Sequence, residues 1–76
     1  MAPDLPVAER SLWCVRRDDR EATAVVRACS FGRELRLSIN GAVVCRRLLT
    51  ESEPDEIVAA DLLHMFTKRG WVPVAG

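Results

Sequence analysis

The sequence predicts an α+β fold: a four-stranded antiparallel meander with one C-terminal helix packed on one face, in the order ββββα. Three observations carry this expectation. Alternating apolar and polar residues flank Asn40-Gly41, a pair that supplies the positive φ of a tight hairpin. Three separately placed turns put the same set of apolar residues on one sheet face. An amphipathic stretch then follows over residues 53–69 and stops at Gly70.

The first strand is expected over residues 11–17 and the second over 21–30, joined at Asp18-Asp19. Phe31-Gly32 leads into a third strand at 34–39, and Asn40-Gly41 into a fourth at 42–49. Regular pairing about these tips sets Val15 against Ala22, Trp13 against Ala24, Val26 against Leu37 and Leu37 against Val44. Trp13, Val15, Ala22, Ala24, Val26, Ala28, Leu35, Leu37, Ile39, Ala42 and Val44 then share the inner face. A one-residue slip at any turn would scatter that set across both faces.

For the helix, Ser52 is the expected N-cap, with Asp55 completing a capping box and Pro54 tolerated in the first turn. Val58, Ala59, Leu62, Leu63, Met65 and Phe66 form its apolar stripe; Asp61, His64, Thr67 and Lys68 lie opposite. Gly70 is placed as the left-handed residue after the helix, with Trp71 folding back on Phe66. The closing stretch from Val72 is extended.

A chain of 76 residues holds one small core and no separate catalytic domain. Residues 1–9, with two prolines and two acids, are expected to be a disordered N-terminal tail, leaving 10–76 as a single domain. The N-terminus lacks a basic segment followed by a long apolar one, so it does not read as a secretory signal. No run approaches the roughly 18 apolar residues that span a bilayer. Formal net charge is zero, which excludes a global pull toward nucleic acid or an anionic membrane. Cys14, Cys29 and Cys45 are odd in number and widely spaced, as expected of reduced thiols in a cytoplasmic protein. Arginine outnumbers lysine ten to one, the bias of a GC-rich genome.

One helix covers one side of the sheet. The open side is expected to carry Leu12, Cys14, Arg16, Thr23, Val25, Arg27, Cys29, Arg36, Ser38, Val43, Cys45, Arg47 and Leu49. In that register Arg27 falls opposite Arg36, a like-charge pair that a purely structural sheet avoids, and Glu34 falls opposite Arg47. Arginines set among valines read as a contact surface. Arg27, Arg36 and Arg47 with Val25 and Val43 are therefore the expected partner-binding residues, the partner being another protein or a second copy. The edge strand 42–49 is available to the same contact. A second use of this face is single-stranded nucleic-acid binding by Arg16, Arg27, Arg36 and Arg47. Against it, Trp13, Phe66 and Trp71 are assigned to the core, leaving only Phe31, in a turn, as a stacking platform.

Chemistry finds little footing. His64 and the cysteines lack C-x-x-C or H-x-x-x-H spacing, so no metal or other cofactor is expected. No phosphate loop or nucleophile elbow occurs, and His64 with Asp61 and Lys68 is an ordinary solvated helix face. The chain is not expected to be an enzyme, and no small-molecule substrate is inferred.

From Arg33 to Trp71 the order is strand, Asn-Gly turn, strand with an Arg-Arg-Leu-Leu end, helix, Gly-Trp. It resembles a group of small uncharacterised bacterial proteins built to that pattern. The resemblance implies a bacterial cytosolic origin and no particular activity. The element order is also similar to the meander-plus-helix of single-strand-binding transcriptional coactivators, an analogy of fold alone.

Overall fold

A computed structural model describes residues 9–30 and 32–74. Its elements are β1 (Glu9–Arg17), β2 (Arg20–Cys29), β3 (Gly32–Ile39), β4 (Ala42–Leu49), α1 (Asp55–Thr67) and β5 (Val72–Pro73). The first four strands form the expected antiparallel meander, and β5 adds to β1, giving the sheet order β4-β3-β2-β1-β5. The tail expectation falls mostly on residues 1–8, outside the described residues; β1 begins at Glu9, paired with Arg27. Among the described residues no helix is long and apolar enough to cross a membrane.

The turns follow their residue chemistry. Asn40 (φ 51°) and Gly41 (φ 84°) both adopt the left-handed conformation that the sharp hairpin requires. Asn40 also binds the adjacent strand: its N–H donates to Glu21 O at 2.8 Å, and its Oδ1 accepts the Glu21 N–H at 2.9 Å. Asp18 (φ 55°) takes the same region between β1 and β2, which a short polar side chain tolerates.

Register departs from regular pairing at three places. Between β2 and β3 the pairs run Cys29↔Gly32, Arg27↔Glu34 and Val26↔Leu35, so the tip lies at residues 30–31, not at Phe31-Gly32. Phe31 itself lies outside the described residues. A two-residue shift leaves every side chain on its expected face but changes its neighbour. In β1 an extra residue, Leu12, interrupts the pairing between Ser11↔Val25 and Trp13↔Ala24. This bulge turns Leu12, expected on the open face, toward the core, where it packs with Trp13. In β4 the extra residue is Val44, between Ser38↔Val43 and Leu37↔Cys45.

The Val44 bulge reverses the facing of everything after it. Cys45, Arg47 and Leu49 pair with Leu37, Leu35 and Arg33 on the helix side, while Arg46 and Leu48 join the open side. Regular pairing would have set Arg46 against Leu35 on the core face and left Leu49 outside. With the bulge, Leu49 is buried against Ala24, Val26, Leu35 and Val58. A second buried group, Val15, Ala22 and Trp71, packs with Ile39, Leu63 and Phe66.

The helix starts later than expected. Pro54 occupies the N-cap position without a side-chain cap, and Ser52, the expected cap, instead pairs its Oγ with Thr50 Oγ1 at 3.0 Å. The turn before the helix is closed by its own pair of bonds. Glu53 N–H donates to Thr50 O, and the Glu53 carboxylate accepts the Thr50 N–H, both at 3.0 Å. The Arg33 guanidinium then clamps this turn: it donates to Thr50 O and Glu53 O, each at 2.8 Å, and pairs with Asp55.

At the other end the expected stop is found. Gly70 (φ 91°) donates to Thr67 O at 3.2 Å and Trp71 N–H donates to Phe66 O at 3.2 Å, the paired bonds of a Schellman ending. Phe66 stands between Trp71 and Trp13, with ring centroids 5.3 Å from each. Trp13 Nε1–H donates to Ala59 O at 2.9 Å, tying β1 to α1. Met65, expected in the stripe, is 53% exposed. It lies toward a cleft of about 320 Å³ between α1 and the end of β4, whose apolar lining includes Ile57, Leu62 and Met65.

Candidate protein-contact surface

The open sheet face is built in rows across the strands. One row runs Val74, Cys14, Thr23, Ser38, Val43, with Val74 N–H donating to Cys14 O at 2.9 Å. The next holds Ser11, Val25, Arg36 and Arg46, and the third Glu9, Arg27, Glu34 and Leu48. Strand alternation places all of these opposite the helix. The central ones, from Cys14 to Ser38, are half-buried by neighbouring side chains alone.

Of the expected contact residues, Val25, Arg27, Arg36 and Val43 are on this face together. Arg47 is not. The Val44 bulge turns it to the helix side, where it pairs with Glu53. Arg46 takes its place, and Leu48 joins the face opposite Glu34. The expected opposition of Arg27 and Arg36 is also replaced, because the β2–β3 tip is shifted: Arg27 is opposite Glu34 and Arg36 opposite Val25. A like-charge pair does exist one strand further on, Arg36 opposite Arg46.

Carboxylates are interleaved with these arginines. Arg36 Nε donates to Glu34 Oε1 at 2.6 Å, and Arg16 pairs with Glu21 at 3.0 Å. The bond from Arg36 holds the Glu34 carboxyl below its ordinary value against the opposing effect of desolvation, with help from the charges of Arg36, Arg46 and Arg27. Arg46, at the sheet edge, has no carboxylate partner among the described residues.

On the helix side the acidic run of residues 51–56 is met by arginines from three strands. Arg10 reaches Asp55 at 3.2 Å and Glu56 at 3.5 Å, Arg33 pairs with Asp55 and Arg47 with Glu53. The Thr50 N–H chiefly holds the Glu53 carboxyl below the ordinary range, as the Glu56 backbone N–H does for its own carboxyl. Arginines of β1, β3 and β4 thus neutralise the acids that open the helix.

Cys14, Cys29 and Cys45 are free thiols, and Cys45 faces the helix side opposite Leu37, not the arginines of the open face. Among the described residues no three His, Cys, Asp or Glu side chains converge in a group that could hold a metal ion. A cleft of about 430 Å³ lies beside the β1 bulge, lined by Leu12, Trp13, Ala59, Ala60 and Leu63 with Arg10 and Glu56.

Sequence reasoning missed Arg46 and Leu48 as members of the face, and set Glu34 opposite Arg47 where the structure sets it opposite Leu48. A signal for the first two was present: β4 reads Val-Val-Cys-Arg-Arg-Leu-Leu, and its doublets mark a strand that changes phase. Comparison with protein-family models, with curated proteins and with solved structures finds no match for the chain.

Proposed function

We propose that the chain is a small, non-catalytic, cytosolic protein-contact module of bacterial origin, whose open sheet face docks against a second copy of itself. Val25, Arg27, Glu34, Arg36, Val43 and Arg46 form the contact set. The observation that carries the reading is the uncovered central row of Cys14, Thr23 and Ser38 with Val25, half-buried and flanked by compensated charges. Arg36 carries its carboxylate, Glu34, into the contact, which costs less than burying that arginine unpaired. Back-to-back packing also relieves the small core, which holds few large side chains. Three free thiols fit a reducing compartment.

Single-stranded nucleic-acid binding draws less support. Of its expected residues, Arg16 and Arg36 are already paired with Glu21 and Glu34, and Arg47 faces the helix side. The ring systems of Trp13, Phe66 and Trp71 are packed on one another.

Sedimentation equilibrium from micromolar to millimolar protein tests the reading, with amide shifts followed on dilution. The expected result is a reversible dimer whose shifts concentrate at Thr23, Val25, Arg36 and Ser38 and vanish in Val25→Asp. A monomer at millimolar concentration with an unchanged open face overturns it. Salt-sensitive shifts of the same amides with a short single-stranded DNA would put nucleic-acid binding in its place.

A further inference from the structure

The β4 edge differs in chemistry from the face it borders. From Ala42 to Leu48 every residue of β4 is exposed, and alternate backbone N–H and C=O groups along it point away from β3. Its central open-face residue, Arg46, has a like charge, Arg36, on its inner flank and nothing on its outer flank. Glu34 is committed to Arg36. On the same face Val43 is 42% exposed and Leu48 55%. On the helix side the edge borders the apolar cleft of Ile57, Leu62 and Met65, with Ile57 59% exposed.

We infer that β4 accepts an extended segment of another protein as a sixth strand, and that this segment is apolar with an acidic residue opposite Arg46. The inference rests on the protein-contact reading above but uses the main-chain edge of β4, sharing only Val43 and Arg46 with the docking face. A cross-strand neighbour sits about 4.5–5.5 Å away between Cβ atoms, so a carboxylate opposite Arg46 forms the ion pair that its own sheet withholds. Residues two positions away on the added strand meet Val43 and Leu48, which selects small apolar or β-branched side chains. The alternate residues lie beside Cys45 and Arg47, under Ile57 and Met65, which selects apolar ones. Main-chain bonds supply affinity and the alternating side chains specificity. A second β4 is a poor occupant. Residues 42–49 hold no carboxylate to set opposite Arg46, and two-fold pairing centred on Arg46 or Arg47 brings that arginine against its own copy.

The test uses two labelled nonapeptides that alternate threonine and valine and carry one central residue on the threonine face, glutamate in one and lysine in the other. Fluorescence anisotropy at low salt reads their affinities, and amide shifts locate them. The glutamate peptide should bind about tenfold tighter, with shifts centred on Val43–Leu48. Arg46→Glu should reverse that order, and Val25→Asp should leave it intact even where it abolishes self-association. Equal affinities, no reversal in Arg46→Glu, or shifts centred away from β4 overturn the inference. So does occupation of β4 by a second copy, seen as β4 amide shifts on dilution that persist in Val25→Asp.

Discussion

Truncating Leu48 and Leu49 one at a time separates the bulged β4 from a regular one, because the two geometries order the costs oppositely. With Val44 as the extra residue, Leu49 pairs with Arg33 on the helix side and is buried against Val58, whereas Leu48 pairs with Glu34 on the open side and is 55% exposed. Leu49→Ala should therefore cost about 2–5 kcal/mol, and Leu48→Ala no more than about 1 kcal/mol. Were β4 regular, Leu48 would face the core and Leu49 the open side, and the order would reverse. Urea unfolding measures both as shifts in midpoint at constant m. A Leu48→Ala variant that loses as much as Leu49→Ala would refute the bulge and with it the placement of Arg46.

Gly70→Ala forces a Cβ into a φ of 91° and should cost about 1–2 kcal/mol by thermal unfolding, with no change in the fold. Arg33→Lys keeps the charge but loses the fork that reaches Thr50 O, Glu53 O and Asp55; a cost of about 1.5–3 kcal/mol and faster amide exchange at residues 50–55 are expected. The folded-state acidities of Glu34, Glu53 and Glu56 all lie below the ordinary 4.5. The unfolded chain therefore takes up protons first, and stability should fall as pH drops from about 4.5 through the lower folded values. A Glu34→Gln, Glu53→Gln double variant should flatten that acid limb, and high salt should weaken it in the parent.

The hairpin tip at Asn40-Gly41 and the helix stop at Gly70 were legible because each rests on a residue whose backbone freedom is unusual. The inner faces of β1 to β3 were legible because a two-residue shift preserves them. The position at which a strand gains a residue could not be read. The doublets of β4 mark that the strand changes phase but not where, because Leu12 and Val44 are ordinary strand formers like the ladder residues beside them. The conflict that the Val44 bulge resolves is tertiary: Arg46 cannot sit on Leu35 while Leu49 waits outside. The helix start was displaced for a related reason. Arg33, twenty-two residues before Asp55 in sequence, organises the turn that Ser52 was expected to cap.

The two margins of the sheet are unlike. At β1, pairing with β5 covers Val15 and Arg16, Pro73 withholds an N–H, and the Leu12 bulge kinks the strand beside it. At β4 the margin is long and its bulge lies near the start. A strand that docks on β4 thus meets no matching template at the far side of the sheet. Edge recruitment is one-sided, and the β1 side offers no long edge through which copies of this chain would join β4 to β1 into a filament.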